Sequence, residues 1–336
     1  MLQDTYNRPL RDLRISVTDR CNYRCTYCMP FDEYAWIPRA EVLTYEETAR
    51  LAQIFLGLGA EKIRLTGGEP LARKNLEVLI RKIAPLAGLK ELCLTTNGAY
   101  LAEKAAALKS AGLVRLNVSL DTLEPEKFRR LTKRGELGPV LEGLEEAKRL
   151  GFRPIKLNAV IERGVNEEEI LPLAEFARAR GFAIRYIEYM DVGNANDWNL
   201  AKVVSKKQIL AALGARFQLR EKGRQEPGAP AVDYEYEDGG GEVGIIASVT
   251  EPFCGACARA RLTADGKLVT CLFADHGHDL KSLVRIGASD EEIRKDIEAV
   301  WQARRDRYSE ERFVALNASR YQPREHSKME MIVLGG

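Results

Sequence analysis

No apolar run in this 336-residue chain reaches the roughly 20 residues that a membrane-spanning helix requires. The first stretch, MLQDTYNRPLRDLR, lacks an apolar core and carries Asp4 early, so a secretory leader is not expected. Charge of one sign is missing as well. The 51 Lys and Arg nearly balance 49 Asp and Glu, and a net charge of +2 is too mild to imply nucleic acid or an anionic bilayer as partner. There is no basic stripe interleaved with aromatics for single strands, no short-period repeat and no heptad pattern. Disulfide staples are not expected either, because seven cysteines is an odd number and the chain is too long to depend on them. What is present is 45% hydrophobic residues, enough for a sizeable core in one large domain or one large and one small.

The cysteines are unevenly spread. Cys21, Cys25 and Cys28 form one tight group, Cys254, Cys257 and Cys271 a second, and Cys93 stands alone. Clustered free thiols read as metal ligands in a reducing, hence cytoplasmic, compartment. Cys93 reads as a packed residue near the floor of the fold.

Up to about residue 190 one plan repeats: a short strand, a polar or Gly turn, an amphipathic helix. The expected strands are LRISVT (13–18), KIRLTG (62–67), ELCLTTN (91–97), LVRLNVSLD (113–121), PIKLNAVI (154–161) and AIRYIEYM (183–190). The expected helical stretches include 44–59, 102–112 and 168–181, and helices finish at Gly59, Gly112, Gly151 and Gly181. Such alternation predicts a parallel sheet with crossover helices. A strand covered on both faces should be wholly apolar, yet here alternate positions are polar. Arg14, Arg64, Thr95, Arg115, Ser119, Asp121, Lys156 and Asn158 fall on one face, and the last strand aligns Tyr186, Glu188 and Met190 with them. One face packs on helices and the other lines a wet interior, which favours an α/β barrel, full or partial, over a doubly wound open sheet for residues 1–195. Several like charges on that face call for an anionic partner. Arg115 is expected to be structural, paired with Glu188. Beyond residue 195 the plan changes. Residues 196–336 predict an irregular α+β extension: a surface turn at 220–230, hairpins at 233–249 and 261–273, a charged helix near 290–305 and a tail ending in Gly335-Gly336.

Three thiolates at the C-x-x-x-C-x-x-C spacing of CNYRCTYC fit a four-iron cluster with one iron left without a protein ligand, the kind of position where chemistry occurs. They follow the first strand, at the end of a barrel where active sites form. The second group admits another such cluster, or a zinc knuckle completed by His276 or His278.

This C-x-x-x-C-x-x-C stretch resembles the signature of the radical S-adenosylmethionine (SAM) superfamily. TGGEP (66–70) is similar to its SAM-binding strand end. LRISVTDRCNYRCTYCMP, EYMDVGN (188–194), CGACARARLTADGKLVTCLF (254–273) and the terminal Gly-Gly together resemble one family in it, the GTP 3′,8-cyclases of molybdenum cofactor biosynthesis. Leu334 stands where that family more often has isoleucine.

The resemblance implies a partial (β/α)6 TIM-like barrel for residues 1–195. It implies two 4Fe-4S clusters, on Cys21, Cys25 and Cys28 and on Cys254, Cys257 and Cys271, the second facing the guanine of GTP. It implies SAM contacts at Tyr27, Gly68, Ser119 and Met190. GTP contacts are implied at Arg14, Arg64, Thr95, Lys156, Arg259 and Arg261, and catalytic roles for Arg14, Gly335 and Gly336. The implied reaction is radical cyclisation: a 5′-deoxyadenosyl radical takes hydrogen from ribose C3′, and that carbon joins C8 of guanine. Implied partners are a flavodoxin- or ferredoxin-like electron donor, cyclic pyranopterin monophosphate synthase as recipient of the product, and a second copy in a homodimer. Alternatives are another radical SAM enzyme with one auxiliary cluster, or a zinc-stabilised binding protein.

Overall fold

The computed structural model describes residues 2–193, 197–322 and 329–335. Six strands, β1 (Asp12–Ser16), β2 (Lys62–Thr66), β3 (Glu91–Thr96), β4 (Arg115–Ser119), β5 (Ile155–Ile161) and β6 (Ala183–Glu188), run parallel in sequence order. Between them lie α1 (Tyr45–Gly57), α2 (Leu76–Ile83), α3 (Leu101–Ser110), α4 (Pro125–Thr132), α5 (Leu137–Arg149) and α6 (Ile170–Arg180). The order is that of a partial (β/α)6 TIM-like barrel. Helix α1 begins where the sequence dictates: Thr44 and Glu47 form a reciprocal capping box. Leu51, Ile54 and Phe55 then recur on one face and are buried. Gly181 closes α6 at φ 72°, a left-handed geometry that a side chain would resist.

The alternation along the strands has the anticipated meaning. Leu13, Ile15, Ile63, Leu65, Leu94, Leu116, Val118, Leu157 and Ile184 point at the helices and form the main core. In register, Arg14 lies beside Arg64, and Asn158 beside Arg185.

That last pairing corrects the expectation for β6. Arg185 and Ile187 face inward, whereas Tyr186 is turned outward and its hydroxyl donates to the Ile170 carbonyl at 2.6 Å. An amphipathic Tyr on the helix side and an apolar Ile on the cavity side blur the two-residue period. Glu188 is also turned away. Arg115 therefore pairs not with Glu188 but with Glu91 on the neighbouring β3. Cys93 is buried and accepts from Arg64 Nε at 3.3 Å.

The C-terminal third extends this sheet at both edges. After α7 (Lys206–Gly214) come β7 (Leu219–Gly223), β8 (Val232–Tyr236), β9 (Glu242–Ile246), β10 (Arg259–Leu262), β11 (Lys267–Val269) and β12 (His278–Asp279). Strand β9 pairs in parallel with β6, and β10 in parallel with β1. β8–β9 and β10–β11 are the two expected hairpins. Residues 219–223 add an edge strand where a surface turn was expected. Helices α8 (Lys281–Arg285), α9 (Asp290–Gln302), α10 (Tyr308–Asn317) and α11 (Met331–Leu334) complete the chain. No described helix is long and apolar enough to cross a membrane.

Glu188 ties the two parts together. Fully buried, its carboxylate accepts from the backbone N–H groups of Lys206, Val249 and Thr250 at 2.8–2.9 Å and from the Thr250 hydroxyl at 2.5 Å. Glu188→Ala leaves these donors without that acceptor and is expected to cost about 3 kcal/mol, read as a lower urea midpoint, with Glu188→Gln losing less.

Candidate active site

The first cysteine loop leaves β1 and is held from two sides. On one side, Arg24 N–H donates to the Thr132 carbonyl at 2.9 Å and Thr26 N–H to Leu131 at 3.0 Å, both at the end of α4. The buried Arg24 guanidinium braces the loop from within through the carbonyls of Cys21 (3.0 Å) and Tyr23 (2.8 Å). On the other side lies TGGEP. Gly68 N–H reaches Thr18 O and Glu69 N–H reaches Arg20 O, each at 2.8 Å. A Cβ on Gly68 would sit 2.4 Å from the Arg20 carbonyl, so only glycine permits this approach. The Glu69 carboxylate accepts from Leu71 N–H, the Thr96 hydroxyl and Asn97 N–H at 2.7–2.9 Å. Burial nevertheless pushes it up to about 7. Burial likewise raises the thiols, Cys21 to about 11 and Cys28 to about 12.

Both cysteine groups open into one cavity, which together with its mouth holds about 1770 Å³. Tyr27, Gly68, Ser119 and Met190 lie on its wall near Cys21, Cys25 and Cys28. The Tyr27 hydroxyl donates to Asp121 at 2.8 Å, and Asp121 also takes Val160 N–H at 2.8 Å. Burial moves Asp121 up to about 6.

Between the cysteine groups stands a set of guanidiniums. Arg14, Arg64, Arg185, Arg259 and Arg261 line the cavity together with Thr95. Desolvation, with Arg64 and Arg261 adding repulsion, holds Arg14 well below the ordinary arginine range. Burial and the Arg259 charge bring Arg261 to about 10, and burial with Arg64 and Arg115 does the same for Arg185. Arg14 Nε, Arg185 Nε, Ser16 Oγ and Asn158 Oδ1 are buried without a partner among the described residues. The two guanidinium N–H groups and the Ser16 hydroxyl can donate to a polyanion in the middle of the cavity, whereas Asn158 Oδ1 can only accept.

Lys156 stands lower on the barrel, within the field of Arg185 of the main cavity. It is on the same face of β5 but lines a smaller cavity at the strand starts, with Lys90, Glu91, Arg115 and Glu242. Burial, Arg185 and Arg115 lower it to about 8.

At the far wall stand Cys254, Cys257 and Cys271. Burial opposes ionisation of Cys257, but Arg259 and Arg304 outweigh it and bring the thiol down to about 6. Burial, helped by Asp306, sends Cys271 up to about 12. His276 and His278 do not join these thiols: His276 contacts Asp275, and His278 contacts Asp296 at 2.5 Å. Among the described residues no three His, Cys, Asp or Glu side chains converge on a single ion. A four-iron cluster engages each thiolate at a separate corner, so the donor sets fit clusters better than zinc.

The tail turns inward. Arg261 Nη1 donates to the carbonyls of Leu334 (3.2 Å) and Gly335 (2.6 Å). A Cβ on Gly335 would stand 2.4 Å from Thr66 Cγ2 and 2.7 Å from Ser16 Oγ. Gly336 lies outside the described residues.

Comparison with known proteins now bears on this arrangement. Residues 15–177 match the radical SAM superfamily and residues 182–310 the Molybdenum Cofactor Synthesis C family. A GTP 3′,8-cyclase of Acidothermus cellulolyticus is 47% identical across 100% of this chain and 99% of its own. One from Aquifex aeolicus is 48% identical over the full length of both.

The chain belongs to the GTP 3′,8-cyclase family.

A further cyclase, from Staphylococcus aureus, is 41% identical over 100% of this chain and 99% of its own. In fold the chain is similar to Streptococcus suis SuiB bound to S-adenosylmethionine, with a TM-score of 0.60 at 15% identity over 91% of this chain and 68% of that one. As a radical SAM protein this cyclase uses SAM and an iron–sulfur cluster.

Arg185, Asp121 and Arg304 escaped the sequence reading as site residues. Register beside Asn158 could have found Arg185. Asp121 was visible on the inner face but not as a partner of Tyr27. Arg304 carried no signal in QARRDRY.

Gly335→Ala is expected to leave iron content unchanged and to cut product formation more than tenfold, measured under anaerobic multiple-turnover conditions, because a displaced tail loses its Arg261 contact.

Proposed function

We propose that this cyclase converts GTP to (8S)-3′,8-cyclo-7,8-dihydroguanosine 5′-triphosphate, the first step of molybdenum cofactor biosynthesis, with two 4Fe-4S clusters. The observation that carries the proposal is one cavity with a cysteine triad at each end and buried guanidiniums between. Cys21, Cys25 and Cys28 would hold the first cluster, with SAM against Tyr27, Gly68, Ser119 and Met190. Cys254, Cys257 and Cys271 would hold the second, which would supply a binding position for the guanine of GTP. Reductive cleavage of SAM is the chemistry the first cluster supplies when bound.

The protein's own residues bind, orient and shield. Arg14, Arg64, Arg259 and Arg261 offer forked donors to the triphosphate and Thr95 a hydroxyl, while Lys156 offers a charge at the strand starts. Arg14, Gly335 and Gly336 are assigned to the reacting end of the substrate, where the tail excludes water and fixes the ribose. The buried thiols suit a reducing compartment such as the cytoplasm. A flavodoxin- or ferredoxin-like donor would supply electrons, cyclic pyranopterin monophosphate synthase would take the product, and a homodimer fits this reading.

Anaerobically purified protein is expected to hold about eight irons and to release 5′-deoxyadenosine in a GTP-dependent manner. Cys271→Ala should keep about four irons and cleave SAM without forming cyclised product. Zinc in place of iron, or normal cyclisation by Cys271→Ala, would overturn the assignment.

A pH dependence follows from Lys156. A bound triphosphate stabilises its charged form and returns its pKa toward the ordinary value. The Lys156 contribution to GTP affinity is thus expected to fall above pH 8, by at most tenfold per unit. Calorimetry at pH 7 and 9 should show this in the native protein and a weaker dependence in Lys156→Met.

A further inference from the structure

Cys257 is treated differently from the other two thiols of its group. Arg259 donates to its sulfur through Nε at 3.3 Å and Nη2 at 3.2 Å, and Arg304 Nη2 does so at 3.3 Å from another direction. Among the described residues neither Cys254 nor Cys271 accepts a guanidinium hydrogen bond at sulfur. The two arginines differ in freedom. Arg259 is on β10, beside Arg261, and is assigned to substrate. Arg304 is buried and fully engaged: Nη1 donates to the Cys257 carbonyl at 2.7 Å, Nε to Asp306 at 3.3 Å, and the guanidinium covers the Trp301 ring at 4.6 Å.

Asp306 carries this bracing to the other ligands. Its carboxylate accepts from the Thr270 hydroxyl at 2.6 Å, next to Cys271. Its carbonyl accepts from Arg8 Nη1 at 2.7 Å, and the same Nη1 reaches the Cys254 carbonyl at 2.9 Å. One largely buried network thus touches all three ligand segments and, among the described residues, contacts sulfur only at Cys257.

We infer that Arg304 is a positioning residue for the second cluster, fixing Cys257 and setting the cluster's reduction potential by hydrogen bonding to that one ligand. The inference rests on the two-cluster reading. A donor at a ligating sulfur favours the reduced, more negative cluster and so raises its potential. Because Arg304 is held by protein alone, its effect persists whether or not GTP engages Arg259.

The test compares native protein with Arg304→Lys, which keeps a charge but loses the fork, and Arg304→Met, which loses both. Iron content and EPR-monitored redox titration are read without substrate, with the first cluster as internal reference. The second cluster's potential is expected to move negative in Arg304→Lys and further in Arg304→Met, the first cluster's staying fixed. Selective loss of second-site iron in Arg304→Met, with Arg304→Lys retaining iron at a lowered potential, also supports the inference. Full iron in both variants with an unchanged second potential overturns it. About four irons in the native protein would overturn the two-cluster reading instead, and the inference with it.

Discussion

Mutual repulsion among buried guanidiniums is the constraint around which this molecule is arranged. Arg14, Arg64, Arg185 and Arg261 share the interior of a barrel, and three of them have their ionisation pulled down by burial and by neighbouring guanidiniums, Arg259 and Arg115 included. In a low-dielectric interior such charges are tolerable only if something answers them. Arg64 finds the Cys93 sulfur, Arg261 the carbonyls of the tail, and Arg14 and Arg185 keep an unpartnered Nε. The protein holds a standing demand for negative charge, and the rigid strands fix where it must be met. Preorganised donors of this kind need little rearrangement when an anion arrives.

The same economy of rigid placement runs through both cysteine loops. Each is held by contacts beyond its own thiols. The first is braced by Arg24, the end of α4 and the glycine-paved TGGEP turn, and the second by Arg8, Arg304 and Asp306. Backbone carbonyls and side chains packed behind the loops help set where the ligands stand.

How much of this could be read from sequence depends on whether the signal was local. Parallel strands β1 to β5 were legible because a strand's two faces alternate strictly, and Arg14, Arg64, Thr95, Arg115 and Lys156 marked the inner one. On β6 the same rule misled: Tyr186 reads as polar and Ile187 as core, and each does the opposite. Lys156 was correctly placed on the inner face, but a face says nothing about height along the barrel, and the residue lines the lower cavity. The cysteine spacing declared itself, since ligands on one loop need a fixed separation. Arg304 did not. Its contact with Cys257 spans 47 residues and arises only from how α9 packs, which no short pattern encodes. The Arg115–Glu91 pair is likewise a product of strand neighbourhood.

The way the sheet is finished has a consequence for how the chain comes to be folded. Strands β1 and β6, the two margins of the six-stranded core, are covered by β10 and β9, which arrive from residues 259–262 and 242–246. During synthesis both margins therefore stay exposed for the time it takes to make at least the segment that follows β6, offering unpaired backbone to any neighbouring chain. A single late stretch then seals both sides almost at once. The nascent barrel is most prone to aggregate in that interval, and conditions that slow elongation just beyond β6 would lengthen it.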